Sequence, residues 1–286
     1  MIKKIFLIGP PRSGTTLLGS LISKHKDVCY WIEPKYIWKY PKPDPYNDEI
    51  TAHETKSKHV KYIKRSFESF ARRNYKNVFL EKTPSNCLRI ESMKKIFPEG
   101  KFIYLIRDGK DVIPSLKHKW DSKHDSSALK RRLNIKEIPI RQIPNYLFFF
   151  LKQLIAYNLY SGNKIRRLWG PMSNEIIMKA KNESVVEACA TQYLLCMNSI
   201  IRNREIGDLI ISYEELLNNP NKIIKEVFDF CELNYEGFDF KELGIIDRNN
   251  SNKVTKWSDL GLKENTIKEL MKIEQFINTQ YCQKYP

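Results

Sequence analysis

The 286-residue chain has no C-x-x-C pair, no apolar run long enough to cross a bilayer, and too few acidic side chains to balance its basic ones. Its six cysteines, Cys29, Cys87, Cys189, Cys196, Cys231 and Cys282, stand far apart and mostly inside apolar stretches. They read as buried free thiols of a reducing compartment. Past the N-terminal stretch, the longest apolar run covers residues 146 to 151, far short of the roughly 20 residues a span requires. The opening MIKKIFLIG resembles the start of a signal peptide, but Pro10, Pro11 and Arg12 cut it off before the roughly seven residues of an h-region. A soluble, cytoplasmic protein is expected. Asp and Glu total 33 against 49 Lys and Arg, a net charge of +16. That excess predicts an anionic partner: nucleic acid, an acidic membrane surface or a small phosphorylated ligand. A genome rich in Lys, Asn and Ile codons would leave the same imprint. With 42% hydrophobic and 29% charged residues, collagen-like, mucin-like and wholly disordered chains are excluded.

Neither an internal repeat nor a linker divides the sequence, so one domain over 1–286 is expected. Short apolar runs at 3–8, 28–33, 77–82, 101–107 and 208–212 read as strands. Helical spacing marks about 14–25, 52–74, 87–97, 110–120, 145–167, 183–203, 213–218, 221–232 and 263–280. The three alternating prolines of 40–48 require a loop. Strands alternating with helices predict an α/β fold, a P-loop-type parallel sheet with helices on both faces. Helical insertions at about 40–75 and 117–180 fall outside that rhythm.

Gly9-Pro10-Pro11-Arg12-Ser13-Gly14-Thr15-Thr16 lies between the first strand and its helix, with the glycine spacing of G-x-x-x-x-G-K-[ST]. Glycines let the backbone turn so that amides and the helix dipole converge on an anion. Thr15 stands where a nucleoside triphosphatase places its lysine, which argues against ATP or GTP hydrolysis. The anion is therefore smaller than a triphosphate tail, and Arg12 supplies the positive charge. The bland alternative is a ligand-free strand-to-helix turn.

PPRSGTTLL resembles the 5′-phosphosulfate loop of sulfotransferases that use 3′-phosphoadenosine 5′-phosphosulfate (PAPS), closest to the branch holding the tyrosylprotein and many bacterial enzymes. The likeness continues in Glu81-Lys82-Thr83-Pro84 and IFPEGKFIYLIRDGKDVIPSL, in Trp169-Gly170-Pro171, in ISYEELLNNP (211–220) and in KVTKWSDL (253–260). It implies sulfonate transfer from PAPS to a hydroxyl, with adenosine 3′,5′-bisphosphate as product. Ser13, Gly14, Thr15 and Thr16 would hold the 5′-phosphate, and Arg12 would offset charge on the sulfonate. The resemblance assigns Arg107 and Ser115 to the 3′-phosphate, and Tyr213, Ser251 and Lys256 to the nucleoside. It makes Glu33 the base, provided burial raises its pKa toward working pH. Lys82 would face the bridging oxygen. Ser85 and Asn86 occupy the place where small-molecule sulfotransferases carry a histidine, which favours Glu33. Simpler readings stay open: Glu33 paired with Lys35, Arg107 paired with Asp108 or Asp111, Lys82 solvated, Tyr213 in the core.

Pro114 departs from the family's apolar residue and fits in the first turn of its helix. His118, Asp121, His124 and Asp125 match no metal-ligand spacing, so no metal is expected. No nucleic-acid signature is present, and no nucleic-acid partner is expected. A catalytically silent PAPS-binding module is the competing function. The acceptor and oligomeric state are not legible; Trp120, Trp169 and the aromatic run 146–150 permit a sugar, phenol, lipid-linked glycan or acidic peptide. A helix at 145–160 offers at most weak membrane-surface contact.

Overall fold

The computed structural model describes residues 2–44, 46–122, 169–235 and 256–284, together with residues 140, 143, 144, 147, 148 and 237. Its centre is a sheet of five described strands: β1 (Lys3–Ile8), β2 (Val28–Ile32), β3 (Val78–Lys82), β4 (Lys101–Ile106) and β5 (Leu209–Ser212). They lie in the order β2-β3-β1-β4-β5, and every neighbouring pair is parallel. KKIFLI and KFIYLI read as unbroken apolar runs because both of their faces are covered. Ile5 and Leu7 point to one core with Ile103, Leu105 and Ile211, while Phe6 and Ile8 alternate into the other with Phe79, Tyr104 and Ile106.

Helices α1 (Thr15–Ile22), α8 (Tyr213–Asn218) and α9 (Pro220–Phe230) cover the first face. Helices α3 (Ser57–Arg73), α4 (Ile90–Ile96), α5 (Gly109–Asp121), α6 (Asn174–Asn182), α7 (Val185–Asn203) and α10 (Glu264–Lys284) cover the second. The short α2 (Lys35–Trp38) inserts Trp38 between Phe6 and Phe67. The α/β class and parallel sheet agree with expectation, and the strands lie within a residue of the expected ends. The 3₁₀ turns at Pro84–Arg89 and Trp257–Leu260, and helices α2 and α6, carry no clear periodic signal.

Three expectations are corrected. The helix expected over 52–74 begins only at Ser57, because Thr51 and Glu54 close a turn on themselves and Thr55 Oγ1 bonds to Ser92 Oγ at 2.6 Å. The helix expected over 87–97 is a 3₁₀ turn starting at Pro84 that passes into α4. Pro114 lies in the second turn of α5 rather than the first, so the Lys110 carbonyl has no amide four residues on. The helix expected at 145–167 and much of the insertion from 117 to 180 fall outside the described residues, as do His124 and Asp125. Among the described residues, no helix is long and apolar enough to cross a membrane. Cys29, Cys87, Cys189, Cys196 and Cys231 are buried free thiols.

A buried ion cluster fastens the insertion loop to the sheet. Lys39 Nζ and Arg89 Nη2 both lie against Asp48 Oδ1, at 3.0 and 3.1 Å. Asp48 Oδ2 accepts from Ser85 Oγ at 3.0 Å and from the Met172 amide at 2.9 Å. The cluster thus ties the proline-rich loop to the turn after β3 and to the segment leading into α6.

Candidate functional site

All five described strands run the same way, so their C-terminal ends share one edge. The chain leaves β1 toward β2 on one side and leaves β4 toward β5 on the other. Such a switch point opens the crevice where open α/β sheets bind ligands. The β1–α1 loop stands at that point, and Arg107 follows β4 beside it.

Within the loop, Ser13 donates both its hydroxyl (2.7 Å) and its amide (3.2 Å) to the Pro10 carbonyl. Ser13 therefore closes the turn with both groups. The amides of the first turn of α1, at Thr15 and Thr16, have no intrahelical acceptor and remain aimed out of the helix end. Gly14 sits at φ 92°, and a β-carbon there would run into the Tyr213 ring. Replacing Gly14 with alanine therefore combines left-handed strain, about 1–3 kcal/mol, with a steric clash. The Gly14→Ala protein is expected to melt lower than the parent, checked by thermal denaturation.

Arg12 and Arg107 form the centre of the site. Arg12 Nε donates to Ser115 Oγ at 2.9 Å, and Arg107 Nη1 donates to the Arg12 carbonyl at 3.2 Å. Arg107 Nη2 pairs with Asp111 at 3.2 Å, the bland partner foreseen for it, while its guanidinium lies 4.3 Å from the Tyr213 ring centroid. Arg107 Nε is buried and makes no hydrogen bond among the described residues. Tyr213 is thus buried as the core reading expected, yet it also roofs Gly14 and seats Arg107. The backbone here is held from several sides. Tyr193 Oη donates to the Arg107 carbonyl at 2.8 Å, the Asp108 amide donates to Glu214, and Asp108 caps α5 through the Lys110 amide.

At the other end of the edge, β2 and β3 pair Ile32 with Lys82, so Glu33 follows directly beside Lys82. Lys82 Nζ lies 3.3 Å from Glu33 Oε1, and Lys35 Nζ lies 2.9 Å from Oε2. Burial pushes the Glu33 carboxyl up, but the two ammonium groups together outweigh it and hold it below its usual range. This corrects the expected rise. Of the four described non-glycine residues at positive φ, two are Arg12 (70°) and Glu33 (55°). Strained backbone of this kind persists where its surroundings impose it, and it concentrates at functional sites.

Beneath Lys82, Glu81 is completely buried. Thr83 Oγ1 donates to it at 2.5 Å and Asn86 Nδ2 at 2.6 Å. Burial outweighs those bonds and pushes its carboxyl up to about 7. Sequence reasoning left Glu81 without a role; its signals were its place in the Glu81-Lys82-Thr83-Pro84 stretch and an acid inside an otherwise apolar strand. Of the residues expected at a nucleoside, Ser251 lies outside the described residues. Lys256 is exposed, and the next residue, Trp257, would come within 2.9 Å of a β-carbon at Gly109. Trp257 Nε1 also donates to Glu274 at 2.7 Å, which brings the chain at Lys256 to the start of α5.

Residues 4–139 match the family model described as the Sulfotransferase family. Over 133 residues, 40% of this chain, the sequence is 26% identical to nodulation protein NoeE of Sinorhizobium fredii. That match spans 31% of the relative's own length. The fold superposes on the sulfotransferase domain from the curacin biosynthetic pathway with a TM-score of 0.51 at 13% identity, covering 97% of this chain and 98% of that one. In sequence the N-terminal half of the chain is thus similar to the sulfotransferase family, and in fold the chain is similar to a sulfotransferase domain.

Proposed function

We propose that the chain is a PAPS-dependent sulfotransferase, forming one cytoplasmic catalytic domain and transferring the sulfonate to an acceptor hydroxyl. The observation that carries this reading is a convergence on one sheet edge. Free amides at the α1 start, the Arg12–Arg107–Ser115 cluster and a Glu33–Lys82 pair lie along the same edge. The unmet Arg107 Nε and the glycine cradle at Gly14 fit a bisphosphorylated nucleoside. Thr15, Thr16 and the Gly14 backbone would hold the 5′-phosphate, with Arg107 and Ser115 on the 3′-phosphate. Tyr213, Lys256 and Ser251 would flank the nucleoside. When bound, the donor supplies an electrophilic sulfonate on a phosphate leaving group. No metal is required, since cationic side chains and amides meet both phosphates.

Glu33 would accept the acceptor's proton as the new O–S bond forms, and the electron pair of the broken S–O bond would stay on the departing phosphate oxygen. Arg12 and Lys82 would meet that growing charge. A Lys82 ammonium drawn to the leaving oxygen is no longer committed to Glu33, whose carboxyl then rises toward the range of a working base. The depressed pKa of the free protein is thus a resting condition.

Calorimetry without added magnesium tests the donor site. Adenosine 3′,5′-bisphosphate is expected to bind while ATP does not, and Arg107→Ala is expected to weaken the bisphosphate by about 10- to 100-fold, the worth of a charge-assisted hydrogen bond. Equal binding of ATP, or an unaffected variant, would overturn the reading.

A further inference from the structure

Helix α3 flanks the β2 edge of the sheet and carries a charge imbalance that folding does not explain. Its buried side, Ile63, Phe67 and Ala71, packs into the core, and Phe70 stacks on Trp31 at 4.3 Å. Its outer side carries Lys58, Lys61, Arg65, Arg72 and Arg73, all exposed. The whole helix sets six Lys and Arg against one acid, Glu68. Like charges three and four residues apart destabilise a helix, and an ordinary solvated face intersperses acids. Lys64 turns to Glu99 at 3.8 Å, but Lys58, Lys61, Arg65 and Arg72 form no ion pair with a described residue.

Positions 58, 61, 65 and 72 fall on one stripe of the helix, about 20 Å long at 1.5 Å per residue. Lys58, Lys61, Arg65 and Arg73 line an open groove closed at its other side by Tyr62, Trp31 and Ile37. Trp31 lies two residues before Glu33 and Ile37 four after it, so the groove is walled by the segments that flank the proposed base in the chain. Tyr62 is itself stacked on Tyr40 at 3.9 Å, which fixes its ring as a wall.

We propose that this stripe binds an acidic oligosaccharide, a glycan bearing uronate carboxylates or earlier sulfate groups, and presents one of its hydroxyls to Glu33. The proposal names the acceptor class and rests on the sulfotransferase reading above. Lysine and arginine heads on an exposed helix face read charge rather than sequence. A peptide acceptor would need its single hydroxyl residue held in one register. A glycan repeats hydroxyl and acid along the chain, so any register the stripe allows presents an acceptor. The flanking Trp31 and Tyr62 rings suit the apolar faces of sugars.

The test titrates the full chain with hexagalacturonate, with uncharged maltohexaose and with hexaglutamate, and separately with adenosine 3′,5′-bisphosphate. Hexagalacturonate is expected to bind best. The K61S/R65S variant should weaken it on the order of tenfold, about 1.4 kcal/mol, with bisphosphate binding unchanged. K61R/R65K should bind as the parent does, which separates charge from folding. An unweakened K61S/R65S, hexaglutamate binding as tightly, or no uronate binding by a protein that takes up the bisphosphate would each overturn the proposal. Loss of bisphosphate binding with uronate binding intact would overturn only the donor assignment.

Discussion

Replacing Asp48 with alanine is expected to cost about 3–5 kcal/mol of stability at neutral pH, read from urea denaturation, because it leaves two cations buried without their anion. Lys39, Asp48 and Arg89 are all buried, and the carboxylate takes two further hydrogen bonds, from Ser85 and from the Met172 amide. Burial alone would push the Asp48 carboxyl up, yet Lys39 and Arg89 outweigh it and hold it below its usual value. An aspartate whose folded pKa is lowered contributes stability above its unfolded pKa of about 3.9 and loses it as pH falls through the folded value. The gap between parent and Asp48→Ala should therefore be full at pH 7 and close only in strong acid. Glu81 runs the other way: with a folded pKa raised to about 7, it favours folding while protonated and loses that contribution as pH rises toward 7. A Glu81→Gln variant should flatten the loss between pH 5 and pH 7 while leaving the Asp48 limb in place. An Asp48→Ala protein as stable as the parent would mean that the two cations had found solvent.

The five strands and the β1–α1 loop were legible because their causes are local. Residues 3–8 and 101–106 bury both faces and so read as continuous apolar runs, and Gly14 marks a backbone turn that leaves room for Tyr213. Arg107 and Ser115 were read as one anion site because eight positions bring a strand end and the following helix together; that Arg12 would take the Ser115 hydroxyl was not legible. The Asp48 cluster was invisible for a different reason. Asp48 sits in a stretch that proline makes a loop, and its partners Lys39, Arg89 and the Met172 amide meet it only through tertiary folding. The depression of the Glu33 pKa was likewise hidden. Lys35 is adjacent in sequence, but Lys82 arrives through the register of β2 with β3.

In the Glu33→Gln protein, turnover with an acceptor found by donor-consumption screening is expected to fall by two to four orders of magnitude, the usual worth of a positioned general base. Bisphosphate binding should be unchanged, because Glu33 stands across the edge from Arg107. The pH profile separates a base from a bystander ion pair. In the free protein two ammonium groups hold Glu33 below its usual range, so the acid limb of kcat/KM should lie below that of an ordinary glutamate. On the proposed reading, Lys82 would be drawn to the leaving oxygen in the complex and the bound donor would add negative charge, so the acid limb of kcat should stand at higher pH. Lys82→Ala removes one of the two cations before any ligand arrives. Its kcat/KM limb should therefore move upward even as its turnover drops, and both limbs should vanish in Glu33→Gln. Were Glu33 only a partner for Lys35 and Lys82, neither limb would respond to Lys82, and the glutamine variant would keep its turnover.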